Sequence, residues 1–535
     1  MSVNRKSALV FLLVGLLVLL SFLTGCSSAG TEKKTESQAQ PAKKLTIELL
    51  SYPNPRPYNP VGGDRLAQAI QADLAKVGIE VKIVSQAWKE HLKSVDEGKG
   101  DAFLLGWIGD NGDPDNFLYM LLHSSQIETT MNAAHYKNPE VDKLLSDAQK
   151  ISDPAKRYEL YKKAQEIIVK DAPWVFFNHG VDMVAMRKNI TGYQLHPTGW
   201  VNLQTVDKEG VKGEKVLIYA RGADSVKLDP ALVTDGESAK VMNNIYDNLV
   251  RYKPGSTDVE PALAESWKVS EDGKVWTFYL RKNIKFHDGT PFNAEAVKFN
   301  IERQLPPKAT KDMAYADFTY GMIEKVEVVD DYTVKITLKY PYAPFLANLA
   351  MGLSAPMISP TAAKKYGENY SQNPVGTGPF MFVKWDKEQQ IVLKANKSYW
   401  GGAPKVDRVI FKVVKENAVR ANELLAGSVD MIDGVDPNDV PRLQKDSNVT
   451  ILTAPGMNIN YLGLRTDKKP FDDPRIRQAI SMAINREAIV KSLYQDKAIL
   501  ANGPLPPNLF GYVKDLKPYP YDPEKAKALL KEAGY

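Results

Sequence analysis

Apolar and polar positions alternate over residues 45–50 (Leu-Thr-Ile-Glu-Leu-Leu), the period-2 pattern of a strand with one buried face. The period then changes. Leu66, Ile70, Leu74 and Val77 recur at helical spacing within 64–77, and Gly78 supplies a stop. Ile79, Val81 and Ile83 alternate again, and residues 102–107 form an apolar run of strand length. The pattern predicts a βαβ unit followed by a further strand. Downstream, Asn138-Pro139 and Asp153-Pro154 read as a cap followed by proline at the first helical position. The second of these helices, over 153–170, carries Tyr158, Leu160, Tyr161, Ala164 and Ile167 as its apolar stripe. Residues 173–177 read as a buried strand, 207–214 as a polar linker, and 215–220 as another strand. Ser270 to Lys274 reads as a hairpin turn before a strand over 276–280.

Two loops of the opening unit carry candidate chemistry. In open α/β sheets, ligands bind beyond the carboxyl ends of parallel strands. Arg56, in Tyr52-Pro53-Asn54-Pro55-Arg56-Pro57-Tyr58-Asn59-Pro60, lies in the loop leaving the first strand. Asp110, in Gly106-Trp107-Ile108-Gly109-Asp110-Asn111-Gly112, lies in the loop leaving the last. One basic and one acidic group at one sheet edge suit a zwitterion. Arginine can hold a carboxylate through two parallel N–H bonds, which lysine cannot do, and Asp110 can accept from an ammonium. A two-residue peptide spans at most about 7 Å, so with a hydrogen bond at each end the two head groups are expected roughly 10–13 Å apart, not paired with each other. The alternatives are a loop arginine bound to a neighbouring carboxylate, and an Asx-turn at Asp110. Trp107 and Tyr58 are candidate pocket walls or core. Residues 110–121 also resemble a calcium loop, but its sixth and twelfth positions hold Asp115 and Leu121 rather than Gly and Glu.

The N-terminus reads as an address. Arg5 and Lys6 precede an apolar run from Ala8 to Leu23, and Leu23-Thr24-Gly25-Cys26 follows. That ending looks like a bacterial lipobox with Cys26 as the site of lipid attachment; an uncleaved anchor helix is the alternative. Either places the remainder outside the cytoplasm, held at a membrane. Cys26 is the only cysteine, which excludes an intrachain disulfide and a zinc–thiolate site. Residues 27–44 are polar and read as a disordered tether. Net charge is +5 with 25% charged residues, and no basic block points to nucleic acid. No Gly-x-Ser-x-Gly elbow, Walker loop or His-Glu-x-x-His is present, and the six histidines show no i, i+4 pair. The chain is expected to bind rather than to catalyse, without metal or cofactor.

Several further strings carry a family resemblance. They are Arg221-Gly222-Ala223-Asp224-Ser225, Phe286-His287-Asp288-Gly289-Thr290-Pro291-Phe292, Asn373-Pro374-Val375-Gly376-Thr377-Gly378-Pro379-Phe380, and Asp473-Pro474-Arg475-Ile476-Arg477. With the Arg56 and Asp110 motifs, they resemble the family 5 extracellular solute-binding proteins of ABC transporters, the dipeptide-binding kind above all. The resemblance implies a two-lobed periplasmic-binding-protein-like α/β fold of the class II, cluster C type. It also implies a changed order. In the family, the stretch like Lys215 comes first, and a helix like 522–534 runs directly into a strand like 44–50, so the chain resembles a circular permutant joined through 207–214. One lobe would be 44–181 plus 456–535 and the other 182–455, hinged near Asp182 and Gly456. By the same resemblance Arg56 binds the ligand carboxylate and Asp110 its amine, with Trp107, Tyr58 and Gly109 around them. Asp224 and Ser225 would reach the cleft from the opposite lobe. The implied partners are a short peptide, most simply a dipeptide, and the permease subunits of an ABC importer, with the protein a monomer. Relatives that bind longer oligopeptides, glutathione, haem or nickel complexes are the alternatives, as is a surface interaction protein without transport.

Overall fold

A computed structural model describes residues 44–495 and 497–535. The lipobox, Cys26 and most of the tether lie outside the described residues. Among the described residues no helix is long and apolar enough to cross a membrane.

The alternation at the start of the described chain becomes strand β1 (Thr46–Ser51). Helix α1 (Gly63–Ala75) follows, burying Leu66, Ala67, Ile70 and Leu74 on one face. Strand β2 (Glu80–Ser85), helix α2 (Trp88–Asp96) and strand β3 (Ala102–Ile108) complete the unit. Helix α2 was not legible as a period; it buries only His91, Ser94 and Val95. The two Pro-started helices form over Pro139–Lys150 and Pro154–Asp171, each with its cap side chain accepting backbone N–H groups.

The expected strand at 173–177 is much longer. As β4 (Trp174–Arg187) it runs for 14 residues. Its first part pairs antiparallel with the strand Asn458–Leu464, and its second part with Val449–Pro455 and Met431–Asp433. The apolar run ends where Asn178 and His179 begin. The strand continues because backbone bonds to new partners carry it across the half-buried stretch 181–183 to a second buried stretch at Val184–Met186.

This strand is shared by the two halves of a 12-stranded mixed sheet. On one side lie Asn458–Leu464, β3, β1 and β2; on the other lie Met431–Asp433, Val216–Arg221, Arg408–Val413 and the hairpin Phe380–Ala395. The first half is sandwiched between two apolar clusters. One contains Ile47, Leu66, Ile70, Phe177, Ile480 and Leu530, the other Phe103, Phe117, Tyr161, Trp174 and Tyr461. A separate four-stranded antiparallel sheet (Ala264–Val269, Val275–Leu280, Thr333–Leu338, Ile323–Asp330) builds its own core around Trp276, Phe278 and Phe345. The turn expected at Ser270 to Lys274 links the first two of its strands, with Gly273 at φ 70°.

Candidate functional site

β1 and β3 are parallel neighbours, with Leu49 opposite Ala102 and Leu50 opposite Phe103, so their carboxyl ends open on the same edge. The loop after β1 is closed by two backbone bonds between Arg56 and Asn59 (2.9 and 2.8 Å). It returns into α1 at Gly62, where φ is 82° and a Cβ would lie 2.3 Å from the Pro53 carbonyl, so only glycine fits. A buried polar chain fastens the loop to β4. The Tyr494 hydroxyl donates to Asn59 Oδ1 (2.9 Å), and Asn460 Nδ2 donates to the Tyr494 hydroxyl and to Asn178 Oδ1. Asn178 Nδ2 in turn donates to the Tyr58 carbonyl (3.0 Å).

From this loop the Arg56 guanidinium lies flat on Trp88, its central carbon 3.6 Å from the ring centroid. Trp88 is itself wedged between Tyr52 and His91 (centroids 5.0 and 5.6 Å). Burial lowers the His91 pKa, keeping that ring neutral beside the cation. Arg56 makes no ion pair among the described residues, and its Nε is buried without a hydrogen-bond partner. The alternative of a loop arginine bound to a neighbouring carboxylate is therefore not what is seen.

Across the edge, Asp110 follows β3. Its carboxylate accepts from the Tyr315 hydroxyl (2.7 Å) and from Asn116 Nδ2 (3.2 Å). Asn116 Oδ1 accepts from the Asp110 N–H and the Trp107 indole N–H (both 2.9 Å), holding the two side chains in one frame. The Asx-turn bonds of this loop belong to Asn111 and Asp113, which accept from the N–H groups of Asp113 and Asp115. Asp110 is left out of the turn. Burial raises its pKa above the usual carboxylate range, the two donors opposing that only in part, and no cation pairs with it among the described residues. Arg56 and Asp110 are not paired with each other.

The rest of the Asp-rich run is structural. Asp113 receives a two-pronged bond from Arg157 (2.8 Å twice), with both side chains buried. Asp115, beside Asp113 and fully enclosed, has its pKa raised to about 7 by burial. Among the described residues no group of three or more His, Cys, Asp or Glu could hold a metal ion.

The other expected site residues divide. Trp107 is half-buried at the end of β3, beside Asp110. Gly109 passes between Phe117 and Met457; a Cβ there would lie 2.7 Å from the Phe117 ring, so a side chain would push the Asp110 loop outward. Tyr58 is a correction: it is 4% exposed, lies in the core, and packs on Gly106, where a Cβ would meet its ring at 2.4 Å. Its contribution is to press the Arg56 loop onto β3 rather than to wall a pocket. Asp224 and Ser225 are a second correction. Asp224 accepts from Arg221 (3.2 Å), the Trp385 indole and the Glu388 N–H, and Ser225 from Arg221 (3.0 Å). The Trp385 and Glu388 bonds seal the hairpin Phe380–Ala395 to the sheet, and a strand end alone could not distinguish this use from a ligand contact. Trp88, Asn116 and Tyr315 join these residues without being marked by the sequence pattern. Trp88 sat in a helix without a clear period, and Tyr315 lies 205 residues from Asp110, with no local signal to join them.

The model of the bacterial extracellular solute-binding proteins, family 5 (middle), matches residues 27–129 and 258–535. A dipeptide-binding protein of Escherichia coli (strain K12) is 38% identical over 340 residues, 60% of this chain and 63% of that protein. Heme-binding protein A of Haemophilus influenzae is 39% identical over 337 residues, 59% of this chain and 62% of that protein. Among solved structures, an ABC transporter-associated periplasmic binding protein of Helicobacter pylori in complex with the peptide STSA has a TM-score of 0.50 at 39% identity. That match covers 60% of this chain and 66% of the other. The chain thus spans less than two thirds of the length of the curated relatives it matches.

Proposed function

Because the chain belongs to the bacterial extracellular solute-binding proteins of family 5, we propose that it captures short peptides, dipeptides in the first instance, and delivers them to the permease of an ABC importer. One observation supports this reading above the others. Arg56 and Asp110 carry opposite charges on neighbouring loops of one sheet edge, each partly withdrawn from water and each without a counter-ion among the described residues. Taking a charge out of water is expensive unless it is paired. Two such groups of opposite sign are complementary to the carboxylate and ammonium of a free peptide.

In this reading the peptide carboxylate meets the Arg56 fork, whose plane Trp88 fixes, and the ammonium meets Asp110. Tyr315 and Asn116 keep the Asp110 oxygens oriented. The ligand backbone, not its side chains, supplies the shared recognition. Lobe 44–181 plus 456–535 would close on lobe 182–455 about β4 and the nearby Gly456, the ligand favouring the closed form by its higher affinity for it. The closed form is then what the permease recognises. We propose further that the chain order is permuted relative to the family. Two facts support it: α1, β1 and the C-terminal helix Pro523–Glu532 share one apolar cluster, and residues 209–214 are a largely exposed connection. Lipid attachment at Cys26 and an extracytoplasmic location complete the proposal.

The test is calorimetric titration of the protein from Ser27 onward with Ala-Ala, N-acetyl-Ala-Ala and Ala-Ala amide. Tight binding of the first, with large losses for both capped forms, is expected. Equal affinity for all three would overturn the Arg56/Asp110 assignment. The haem reading has the relative in Haemophilus influenzae behind it; absence of peptide binding together with haem binding would favour it.

A further inference from the structure

β4 carries a third charged group toward the same region. Its face is covered at Gly180 by the Arg56 loop: a Cβ on Gly180 would lie 2.9 Å from the Pro57 carbonyl. The Gly180 N–H donates to Asn458 Oδ1 (2.7 Å), and Asn458 stands opposite Ile108, two residues before Asp110. Successive side chains of a strand alternate between faces, so the residue after next shares the face of Gly180, about 7 Å further along. That residue is Asp182, opposite Ala454 in the ladder, where β4 passes from one half of the sheet to the other.

The Asp182 carboxylate lies beside Gly456, whose Cβ would be 3.2 Å from Oδ1, and remains partly open to solvent. It makes no side-chain hydrogen bond and no ion pair among the described residues. The charged and titratable groups that act on it are Lys240 and Tyr193. Lys240 already pairs with Glu237 (2.6 Å) and with Asp433, and Tyr193 is a buried neutral phenol. Burial raises the Asp182 pKa to about 6, the Lys240 charge offsetting this only partly. A carboxylate in such a place, with its neighbouring cation committed elsewhere, lacks a partner that a ligand could supply.

Resting on the peptide reading above, we propose that Asp182 selects peptides carrying a basic side chain, its carboxylate receiving the ammonium or guanidinium of that side chain while Arg56 and Asp110 hold the peptide's own termini. The site then presents two anions and one cation, the complement of a peptide with one extra positive charge.

The experiment is calorimetric titration of the wild type and of Asp182→Asn with Ala-Ala, Ala-Lys, Lys-Ala and Ala-Glu. For the wild type, the better of the two lysine peptides should bind about ten-fold or more tighter than Ala-Ala, and Ala-Glu weaker. In Asp182→Asn the ratio between the lysine peptide and Ala-Ala should fall to near one. Equal binding of Ala-Ala and the lysine peptides by the wild type, or a preference that survives in Asp182→Asn, overturns the assignment and leaves the peptide reading standing. Failure of a folded wild type to bind any of the four overturns the peptide reading, and this inference with it. Unfolding of Asp182→Asn, judged by circular dichroism, would be met with Asp182→Ser, read by the same ratio.

Discussion

Arg56 shows how the orientation of one side chain depends on a neighbour. The guanidinium is planar by its own delocalisation, and stacking on Trp88 sets the direction in which that plane faces. Arg56→Lys keeps the charge but loses both the fork and the stack. Peptide affinity should fall by roughly 10–100-fold, as expected for replacing a two-pronged charge-assisted bond, with the circular dichroism spectrum unchanged; calorimetry reads it directly. Asp110 makes a second prediction through its raised pKa. A ligand ammonium favours the ionised form, so binding draws a proton off whatever fraction of Asp110 is protonated. Affinity should therefore be constant well above the raised value and weaken as pH falls through it. Titration in two buffers of different ionisation enthalpy should show proton release that grows toward acid. Absence of any such release would remove Asp110 from the amine site.

At the scale of elements, the loops owe their positions to places where a side chain would not fit. Gly180→Ala would drive a methyl group to 2.9 Å from the Pro57 carbonyl. The loop must lift, so peptide affinity should drop while stability falls by only about 1–3 kcal/mol, the usual cost of overpacking; urea denaturation and calorimetry separate the two. The buried Arg157–Asp113 pair behaves differently. Arg157→Met leaves Asp113 buried and unpaired, and about 3–5 kcal/mol of stability should be lost. Asp182 carries the opposite sign. Its folded pKa of about 6 lies above the unfolded value, so wild-type stability from this group is fully present below about pH 4 and declines as pH rises through 6. Asp182→Asn should then be more stable than wild type above pH 6, by roughly 2–3 kcal/mol, with no difference below about pH 4, as read from Tm against pH.

For the whole molecule, β4 is the connection that matters. It binds one half of the sheet through residues 174–180, the last three paired with Ala498–Leu500, and the other through 181–187, so bending at the junction after Gly180 would move the Arg56 and Asp110 loops against Tyr315 without breaking either half. Ligand-driven closure predicts a smaller radius of gyration by X-ray scattering with saturating Ala-Ala, and a Tm that rises with ligand concentration. The connection at 209–214 should be dispensable. Gly210 and Gly213 have positive φ and nothing within 4 Å of an added Cβ. A protease site placed between them and then cleaved should leave Tm and peptide affinity intact.

Local pattern determined much of this by itself. The alternation at 45–50 and 79–83, the helical spacing from Leu66 to Val77, and the Asn138 and Asp153 caps each follow from contacts within a few residues, and each element forms where the pattern places it. The carboxyl ends of β1 and β3 also follow, because a parallel βαβ unit has only one edge where its loops gather, and that edge is where the sequence pattern puts Arg56 and Asp110. What tertiary structure alone decided is who faces them. Trp88 beneath the guanidinium, Tyr315 on the Asp110 carboxylate, the enclosure of Tyr58, the use of Asp224 in a hairpin and an Asp182 without an ion pair among the described residues all depend on segments brought together from distant parts of the chain. A side chain's charge is written in its residue type, but whether that charge is hydrated, paired or left waiting depends on burial and on neighbours that no local period encodes.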